Sequence, residues 1–235
     1  MSLETERKIL EIPKYTSMST EQLFILCNAY WVYSRKPGEP HAVLTSNLHS
    51  DGYFNVSEAL KYPNIRKIFA CRLAAQLECA GIKKENVDLI VSSSYAAFPF
   101  GQELSSAIVV PSVYTEKTEN GQKWTGRFGI SSGARVLHAE ELVTTSGTTL
   151  RVSEAILEAE KNPFRFVEIN GKAVVATIIH RPSKLPIKYE KHIIVALIEK
   201  EVHNWKPEEC PLCKAGSEAL KPKPNWAKFA QFAKL

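Results

Sequence analysis

The sequence predicts an α/β fold, in which a mostly parallel sheet of about five strands carries helices on both faces. Short, continuous apolar runs recur along the chain, as in strands that are buried on both faces. Helical segments separate these runs, which is the order that a parallel sheet requires. The chain has 235 residues, of which 44% are hydrophobic and 23% charged, enough for one large core. The predicted strands are 87–91, 108–110, 136–139, 174–179 and 193–198.

The helices are predicted from apolar spacing and from the residues at their ends. The first spans 19–33, where Ser19 and Gln22 have capping-box spacing. The second begins at Asn64 and stops at Gly81, with an apolar residue at every third or fourth position. Two further helices are expected near 99–107 and 147–161. These elements divide the chain into an N-terminal hood (1–60), a core (61–204) and an irregular basic tail (205–235).

The composition argues against several classes of protein. The longest aliphatic run, 193–198, is far shorter than the roughly 20 apolar residues of a membrane span, so no membrane partner is expected. Early charged residues argue against an export signal, and five scattered cysteines favour reduced thiols and a cytoplasmic location. Most of the net charge of +5 comes from five lysines and one glutamate after Cys213. This pattern indicates a solvated tail, and no nucleic-acid partner is expected.

The segment most informative about chemistry is 136–149. Glu140 and Glu141 follow a predicted strand, and two adjacent carboxylates would accept hydrogen bonds from a vicinal diol. The hydroxyl-rich loop from Thr144 to Thr148 precedes a helix, so its N–H groups and the helix N-terminus would bind an anion. A diol beside a phosphate describes a ribose 5-phosphate. The alternative is an ordinary strand-to-helix turn, in which the threonines cap the helix and the glutamates complement its dipole.

A second candidate for chemistry is the polar, glycine-rich segment 115–133. Segments of this length without periodicity are usually functional lids or disordered. Its basic residues Lys117, Lys123 and Arg127 are therefore either solvated charges or catalytic groups, and both interpretations stay open.

Residues 140–148, Glu-Glu-Leu-Val-Thr-Thr-Ser-Gly-Thr, resemble the phosphoribosyl pyrophosphate (PRPP) signature of type I phosphoribosyltransferases. Four other segments resemble the orotate phosphoribosyltransferases in particular, and they keep that family's order along the chain. They are the N-terminal base-binding segment (44–55), the pyrophosphate loop (95–99), the mobile catalytic loop (116–128) and the Cys-Pro-Leu-Cys tail of one subgroup (210–213). The resemblance implies a Rossmann-like sheet of the type I phosphoribosyltransferase fold.

The resemblance also implies roles for particular residues. The acidic pair would bind the ribose hydroxyls, the loop after it would bind the 5-phosphate, and Lys117 would reach the pyrophosphate. The implied catalytic residues are Lys117, Arg127 and Glu141. The implied PRPP-binding residues are Tyr95, Lys117, Glu140, Glu141, Thr144, Thr145, Ser146, Gly147 and Thr148. The implied base-binding residues are Tyr53, Phe54, Thr144 and Arg181.

The activity implied by the resemblance is transfer of the phosphoribosyl group from PRPP to orotate, with Mg²⁺ as cofactor and a homodimer as the assembly. The same chemistry on another base is one alternative, and a non-catalytic module that senses PRPP or a nucleotide is another. Lys117 and Arg181 favour an enzyme, because a sensor need not keep a clamp for the leaving group. The sensor is favoured by the altered pyrophosphate loop, in which Ala96 and Ala97 replace the family's lysine or glycines. The family usually has other residues also at Asn47, Glu141, Ser146 and His180.

A metal site in the tail receives little support from the sequence. Cys210 and Cys213 have zinc-knuckle spacing, but a structural zinc needs four ligands and no second pair is evident. Apart from this weak zinc pair, no side-chain metal site is predicted. His49 is predicted to be a surface turn residue, and Trp226 to anchor the tail by packing.

Overall fold

The computed structural model describes residues 1–119, 121–144 and 147–233. Short 3-10 turns lie at Lys84–Asn86 and Pro207–Glu209. None of the helices in these ranges is both long and apolar enough to cross a bilayer. The α-helices of the described ranges are α1 (Leu3–Leu10), α2 (Thr20–Leu26), α3 (Val56–Leu60), α4 (Pro63–Cys79), α5 (Ala97–Ile108), α6 (Gly147–Ala159), α7 (Pro211–Lys214) and α8 (Trp226–Ala230).

The strands of the same ranges form four sheets. They are β1 (Tyr30–Val32), β2 (His41–Val43), β3 (His49–Ser50), β4 (Gly52–Phe54), β5 (Leu89–Ser92), β6 (Ser112–Tyr114), β7 (Glu116–Thr118), β8 (Gly121–Lys123), β9 (Arg135–Val143), β10 (Arg165–Phe166), β11 (Glu168–Ile169), β12 (Lys172–His180), β13 (His192–Glu199), β14 (Asn204–Trp205) and β15 (Ala219–Leu220).

The chain divides into two compact units. The first unit contains Met1–Ile65, Ser183–Leu185 and the described residues after Lys200. The second unit contains Arg66–Pro182 and Pro186–Lys200. The division into hood, core and tail with boundaries at 60 and 204 stays a prediction.

The second unit is built on five parallel strands in the order β13-β12-β9-β5-β6, which confirms the predicted fold class. The short strand β10 adds in parallel to β9, and β11 adds antiparallel to β12. After β5 the chain adds β6 on one side, and then crosses to β9 on the other side. The strand order therefore reverses between β5 and β9, and α/β sheets of this order bind ligands at that reversal, beyond the carboxyl ends of the strands.

Helices cover both faces of this sheet. On one face, Leu89 and Val91 of β5 share a buried cluster with Val152 and Ile156 of α6. On the other face, α5 approaches β5 so closely that a Cβ atom on Gly101 would lie 2.9 Å from Ser92 Oγ. Because successive strand residues point to opposite faces, this assignment also fixes which face each residue of the neighbouring β9 occupies.

In the first unit, one sheet has the strand order β14-β3-β2-β15, and β1 pairs with β4 in another. Trp31 is fully buried and meets the Phe229 ring of α8 edge to face, with 4.8 Å between centroids. The indole of Trp226 donates to the Asn28 carbonyl at 2.9 Å, so the predicted packing role of Trp226 is confirmed. The tail itself is less irregular than predicted, because β15, α7 and α8 lie in it and β14 spans its first residue.

Two predicted elements are wrong. The helix expected over 19–33 has the predicted capping box, but it ends at Leu26. Asn28 has φ 56°, which stops the helix, and the residues of β1 then pair with β4. The strand expected over 108–110 is also wrong, because α5 continues to Ile108 and Val109 ends it in the left-handed conformation. The strand on this side of the sheet begins four residues later than predicted, at Ser112.

The segment 115–133 is better anchored than its polar composition suggests. Strands β7 and β8 form a hairpin within it. Trp124 and Ile130 are buried in the α6 side of the core, and both bond to the Glu160 carboxylate. The prediction that this segment has no regular structure is therefore wrong. Its first half forms the hairpin, and the two buried side chains and their bonds to Glu160 hold its second half in place.

Candidate active site

At the strand-order reversal, β9 extends beyond the end of β5, so the carboxyl ends of these two strands form a step at the edge of the sheet. β5 ends at Ser92, which pairs with Ala139, whereas β9 continues for four more residues to Val143. On its other side β9 stays paired with β12 as far as His180. The last residues of β9, including the acidic pair, therefore lie beyond the end of one neighbouring strand.

Glu140 lies in this step with both carboxylate oxygens engaged. The Ser93 hydroxyl donates to Oε2 at 2.7 Å, and His138 Nε2 lies 2.7 Å from Oε1. A carboxylate only accepts hydrogen bonds, so this arrangement puts the imidazole proton on Nε2 of His138. The side chains of His138 and Glu140 are only 2% and 3% exposed, which means that Glu140 is held rigidly.

Glu141 lies on the opposite face of β9. The sequence predicted that the strand ends before the acidic pair, and this is wrong because β9 includes both residues. Successive side chains of a strand alternate between faces, so Glu140 points to the α6 face and Glu141 to the α5 face. The two carboxylates therefore do not form a side-by-side pair, and Glu141 is half-buried.

Tyr95 and Lys117 come together beside this step. Lys117 Nζ lies 5.6 Å from the centroid of the Tyr95 ring, within the range of a cation–π contact. Tyr95 is 74% exposed and has φ 66°, an uncommon conformation for a bulky residue. Backbone strain of this kind clusters at functional sites, where the surrounding structure imposes it. Since Tyr95 is two residues from Ser93, the loop after β5 links the acidic strand to the hairpin lysine.

The other predicted catalytic cation has a different partner. Arg127 forms an ion pair with Glu116 at 3.2 Å, and its side chain is 62% exposed. Thr125 also donates to Glu116, so Arg127 belongs to a local cluster at the base of the hairpin. The catalytic role of Arg127 stays a prediction.

The predicted phosphate loop leads directly into α6. Gly147 is the first residue of this helix, and Thr148 follows in its first turn. Tyr189 donates its hydroxyl proton to the Thr144 carbonyl at 3.4 Å. Thr145 and Ser146 lie outside the described residues. The order of strand β9 and the 13-residue helix α6 agrees with the sequence prediction.

Arg181 emerges at the carboxyl end of β12, one residue past the pair of His180 and Val143. Its backbone N–H donates to the Val143 carbonyl at 2.9 Å, and the residue is 5% exposed. The neighbouring His180 bonds to Glu199 and to the Tyr189 hydroxyl. Arg181 is therefore placed at the same edge of the sheet as the acidic strand.

The predicted base-binding aromatics belong to the first unit. Phe54 is 2% exposed, with Tyr30 stacked on its ring at 4.0 Å and Phe24 at its edge. Tyr53 is half-buried, and its ring lies 5.9 Å from that of Trp226. The observed contacts are packing contacts, and the base-binding role of these two residues stays a prediction.

At three positions where the family usually has a different residue, the structure shows the surroundings of the residue found here. Asn47 has φ 62°, the left-handed conformation that favours glycine and that asparagine tolerates better than most residues. Ala97 is fully buried at the start of α5, where a lysine would have to bury its charge. His180 occurs where the family usually has an acid, and it contacts Glu199 through Nδ1.

Sequence reasoning missed the residues that hold Glu140. His138 is two positions before Glu140 on the same strand, so the period of a strand could have indicated that both share a face. Ser93 is one of three consecutive serines after an apolar run, and nothing in the sequence distinguishes it from its neighbours. Pairing of β5 with β9 is what brings Ser93 to the acid.

Comparison with known proteins supports a specific class. No protein-family model matches the chain. The orotate phosphoribosyltransferase of Sulfurovum sp. is 28% identical over 207 residues, which cover 87% of this chain and 98% of the relative. That of Nitratiruptor sp. is 30% identical over 187 residues, 77% of this chain and 90% of the relative. The orotate phosphoribosyltransferase structure from Aeropyrum pernix matches with a TM-score of 0.52 at 16% identity, over 68% of this chain and 86% of that one.

The strand order, the acidic strand at its reversal and the loop that leads into α6 define a protein of the type I phosphoribosyltransferase fold. Within that class, the chain belongs to the orotate phosphoribosyltransferase family. The resemblance read from residues 140–148 is therefore confirmed.

Proposed function

We propose that the chain transfers the phosphoribosyl group of PRPP to orotate and releases pyrophosphate, a step of pyrimidine nucleotide synthesis. The observation that carries this proposal is a connected set of side chains at the strand-order reversal, in a chain that belongs to this family. Glu140 bonds to Ser93, the loop after Ser93 presents Tyr95, and Lys117 lies over the Tyr95 ring. These contacts support the proposal that a sugar site and a cation for the leaving group lie side by side.

The acidic strand would bind the ribose. A ribose hydroxyl would replace the Ser93 hydroxyl as the donor to Glu140 Oε2, so the carboxylate would remain paired throughout. His138 would keep its hydrogen bond to Oε1 and hold the carboxylate in place. The 5-phosphate would lie at the N-terminus of α6, where the N–H groups of the first turn are directed toward an anion.

Lys117 would assist departure of the pyrophosphate. The reaction breaks the bond from the anomeric carbon to pyrophosphate and forms a bond to a ring nitrogen of orotate. Negative charge grows on the leaving group, and a lysine directed at it stabilises that charge most in the transition state. The hairpin of β7 and β8 would bring Lys117 in and exclude water from the sugar cation.

Arg181 would select the base. Its planar guanidinium presents a fork of donors that matches a carboxylate or paired carbonyl oxygens. Orotate carries a carboxylate, whereas uracil and adenine do not. The resemblance also implies a base-binding role for Tyr53 and Phe54 of the first unit, and that role stays a prediction.

Magnesium is the cofactor that the family implies, and the oxygen-rich donors of this site fit it. Mg²⁺ prefers carboxylate, hydroxyl and phosphate oxygens and usually binds few protein groups. Glu141 supplies a carboxylate beside the step, and among the described residues the buried Ser94 hydroxyl has no hydrogen-bond partner. When bound, the ion would neutralise charge on the pyrophosphate.

The assembly and the location are also proposals. The family resemblance supports a homodimer, which light scattering on the purified protein would measure. None of the five cysteines is paired in a disulfide, which supports a reducing compartment such as the cytoplasm.

The activity is tested with purified protein, PRPP, magnesium and one base at a time from orotate, uracil and adenine. Pyrophosphate release should require the base and be fastest with orotate. Release with another base only would reassign the substrate. No release with any base, together with PRPP binding in calorimetry, would identify the sensing module instead.

A further inference from the structure

A cluster of two histidines and two cysteines, of which all but Cys213 are buried, lies in the first unit, far along the chain from the acidic strand. It combines the two tail cysteines with the strand pair β2–β3, whose histidines the sequence did not connect to a metal. One ligand atom from each residue lies within 4.8 Å of every other one. We call this group the His–Cys cluster; its members are His41, His49, Cys210 and Cys213.

Four of the separations between the ligand atoms lie within about 0.4 Å of those expected in a tetrahedral zinc site. His41 Nε2 and His49 Nδ1 are 2.9 Å apart. Cys213 Sγ lies 3.4 Å from His41 Nε2 and 3.2 Å from His49 Nδ1, and Cys210 Sγ lies 3.7 Å from His41 Nε2. Around one zinc with metal–nitrogen bonds near 2.0 Å and metal–sulfur bonds near 2.3 Å, such pairs would be roughly 3.3 to 3.8 Å apart.

A second hydrogen bond fixes the tautomer of His41 in the form that a metal requires. The Ser217 hydroxyl donates its single proton to the Glu39 carbonyl at 2.8 Å. It can therefore only accept from His41 Nδ1, which lies 3.1 Å away. The proton of His41 is thus on Nδ1, and Nε2 directs a lone pair into the cluster. Metal-binding histidines are oriented by this kind of second contact.

The cluster is also built into the fold rather than gathered on a flexible surface. His41 and Cys210 are fully buried, and His49 is 8% exposed. The two histidines are on the adjacent strands β2 and β3, which pair in register. Cys210 precedes α7 and Cys213 lies in it, and the short turn that they form is closed by an N–H bond from Lys214 to the Cys210 carbonyl.

We propose that the His–Cys cluster binds one structural zinc ion, which fastens the C-terminal segment onto the strand pair β2–β3. Two sulfur and two nitrogen ligands in a tetrahedron favour zinc over magnesium or calcium, which prefer oxygen. Four protein ligands close the coordination shell and leave no position for a substrate, so the site is structural. Binding converts two thiols to thiolates and releases their two protons to solvent.

The test begins with the metal content of the full-length protein, purified without metal-affinity resin and analysed by mass spectrometry for zinc. We expect about one zinc per chain. The double variant Cys210→Ser with Cys213→Ser should lose it, whereas the matched control Cys71→Ser with Cys79→Ser should retain it. A wild-type protein that neither contains zinc nor binds added zinc would overturn the proposal.

Cobalt substitution keeps the proposal testable if the cysteine variant does not fold. Wild-type protein loaded with Co²⁺ should show the strong visible absorption of a tetrahedral site and a thiolate charge-transfer band. Weak absorption typical of six oxygen ligands would overturn the assignment.

Ser217 is a positioning residue in this proposal, and its variants separate orientation from packing. Ser217→Ala should weaken zinc by about 10- to 100-fold in competition with a chelator, and Ser217→Thr should restore most of that affinity. Equal zinc affinity in wild type and Ser217→Ala would contradict the tautomer argument.

Discussion

At the scale of single residues, both oxygens of the buried Glu140 carboxylate, which we propose binds the ribose, have hydrogen-bond partners within the protein. Ser93 and His138 each occupy one oxygen, so a buried acid avoids the penalty of an unpaired charge. Only the Ser93 hydroxyl can be replaced by a sugar hydroxyl without disturbing β9, because His138 belongs to the same strand. We therefore expect Oε2 to bind the sugar hydroxyl and Oε1 to stay bonded to His138.

The acidic strand should therefore dominate PRPP affinity. The double variant Glu140→Gln with Glu141→Gln should keep the fold and weaken PRPP by about 1.5–3 kcal/mol for each charged hydrogen bond lost. Isothermal calorimetry measures this, with Glu158→Gln on the exposed side of α6 as the control. An unchanged PRPP affinity in the double variant would remove the acidic strand from the site.

Arg181 should carry the preference for a carboxylated base. Replacing Arg181 with alanine should lower the preference for orotate over uracil by about 10- to 150-fold, the equivalent of one charged hydrogen bond. The ratio of kcat/KM for the two bases is the measurement, and Arg165→Ala, an exposed arginine of β10, is the control. A ratio that Arg181→Ala leaves intact would assign base selection to other residues.

The acidic motif could be predicted at this scale because its residue types lie next to one another in the sequence. The partners of Glu140 could not, because Ser93 is 47 positions away and reaches the acid only through strand pairing. His49 was placed on a surface turn by sequence, which is wrong since it is a buried residue of β3. The His–Cys cluster brings together residues that are still farther apart along the chain, with Cys210 169 positions from His41.

At the scale of elements, β9 is aligned with β5 by an ion pair at the start of both strands. Arg135 donates from Nε and Nη2 to the two oxygens of Asp88, and its backbone N–H donates to the same carboxylate. These hydrogen bonds from Arg135 lower the pKa of Asp88 from 3.8 to about 2. The register set here determines that Ser92 ends opposite Ala139, and so it positions the step that holds Glu140.

This ion pair predicts a particular pH dependence. Since the pKa of Asp88 is lowered in the folded state, its contribution to stability is complete above about pH 4 and is lost as the pH falls toward 2. The difference in unfolding free energy between wild type and Asp88→Asn should therefore shrink over that window. Urea titrations at several pH values measure it. A difference that stays constant down to pH 2 would contradict the assignment.

The hairpin of β7 and β8 should be the mobile part of the segment 115–133, because Trp124 and Ile130 anchor the rest. Trypsin should cut first after the exposed Lys117 or Lys123, and PRPP with magnesium should protect these bonds. Cleavage after the exposed Lys161 serves as the internal control and should not change. Equal cutting at the hairpin with and without ligand would exclude closure over PRPP.

Element types were predicted well where apolar spacing was long and regular, as in α4, whose face of Ile68, Phe69, Leu73 and Leu77 is fully buried. Element boundaries were predicted poorly where a residue in the left-handed backbone conformation ends the helix. Asn28 and Val109 each end a helix with positive φ, and neither position carries the glycine that usually marks such an end.

At the scale of the whole molecule, the parallel sheet follows from the order of apolar runs and helices, and sequence predicted it. Sequence did not predict which segments of the chain make up the first unit. The tail was expected to be irregular, yet its strands β14 and β15 flank β3 and β2 in one sheet. Local sequence patterns do not predict this pairing between distant segments, because each of these strands is only two or three residues long.

The central claim is that this family member uses orotate, and competition in one reaction tests it most directly. Purified protein would be mixed with limiting PRPP, magnesium and equal concentrations of orotate and uracil, and the nucleotide products identified by mass spectrometry. The arrangement of Glu140, Lys117 and Arg181 predicts the nucleotide of orotate as the dominant product, with stoichiometric pyrophosphate. Comparable amounts of both nucleotides, or an excess of the uracil product, would contradict the account.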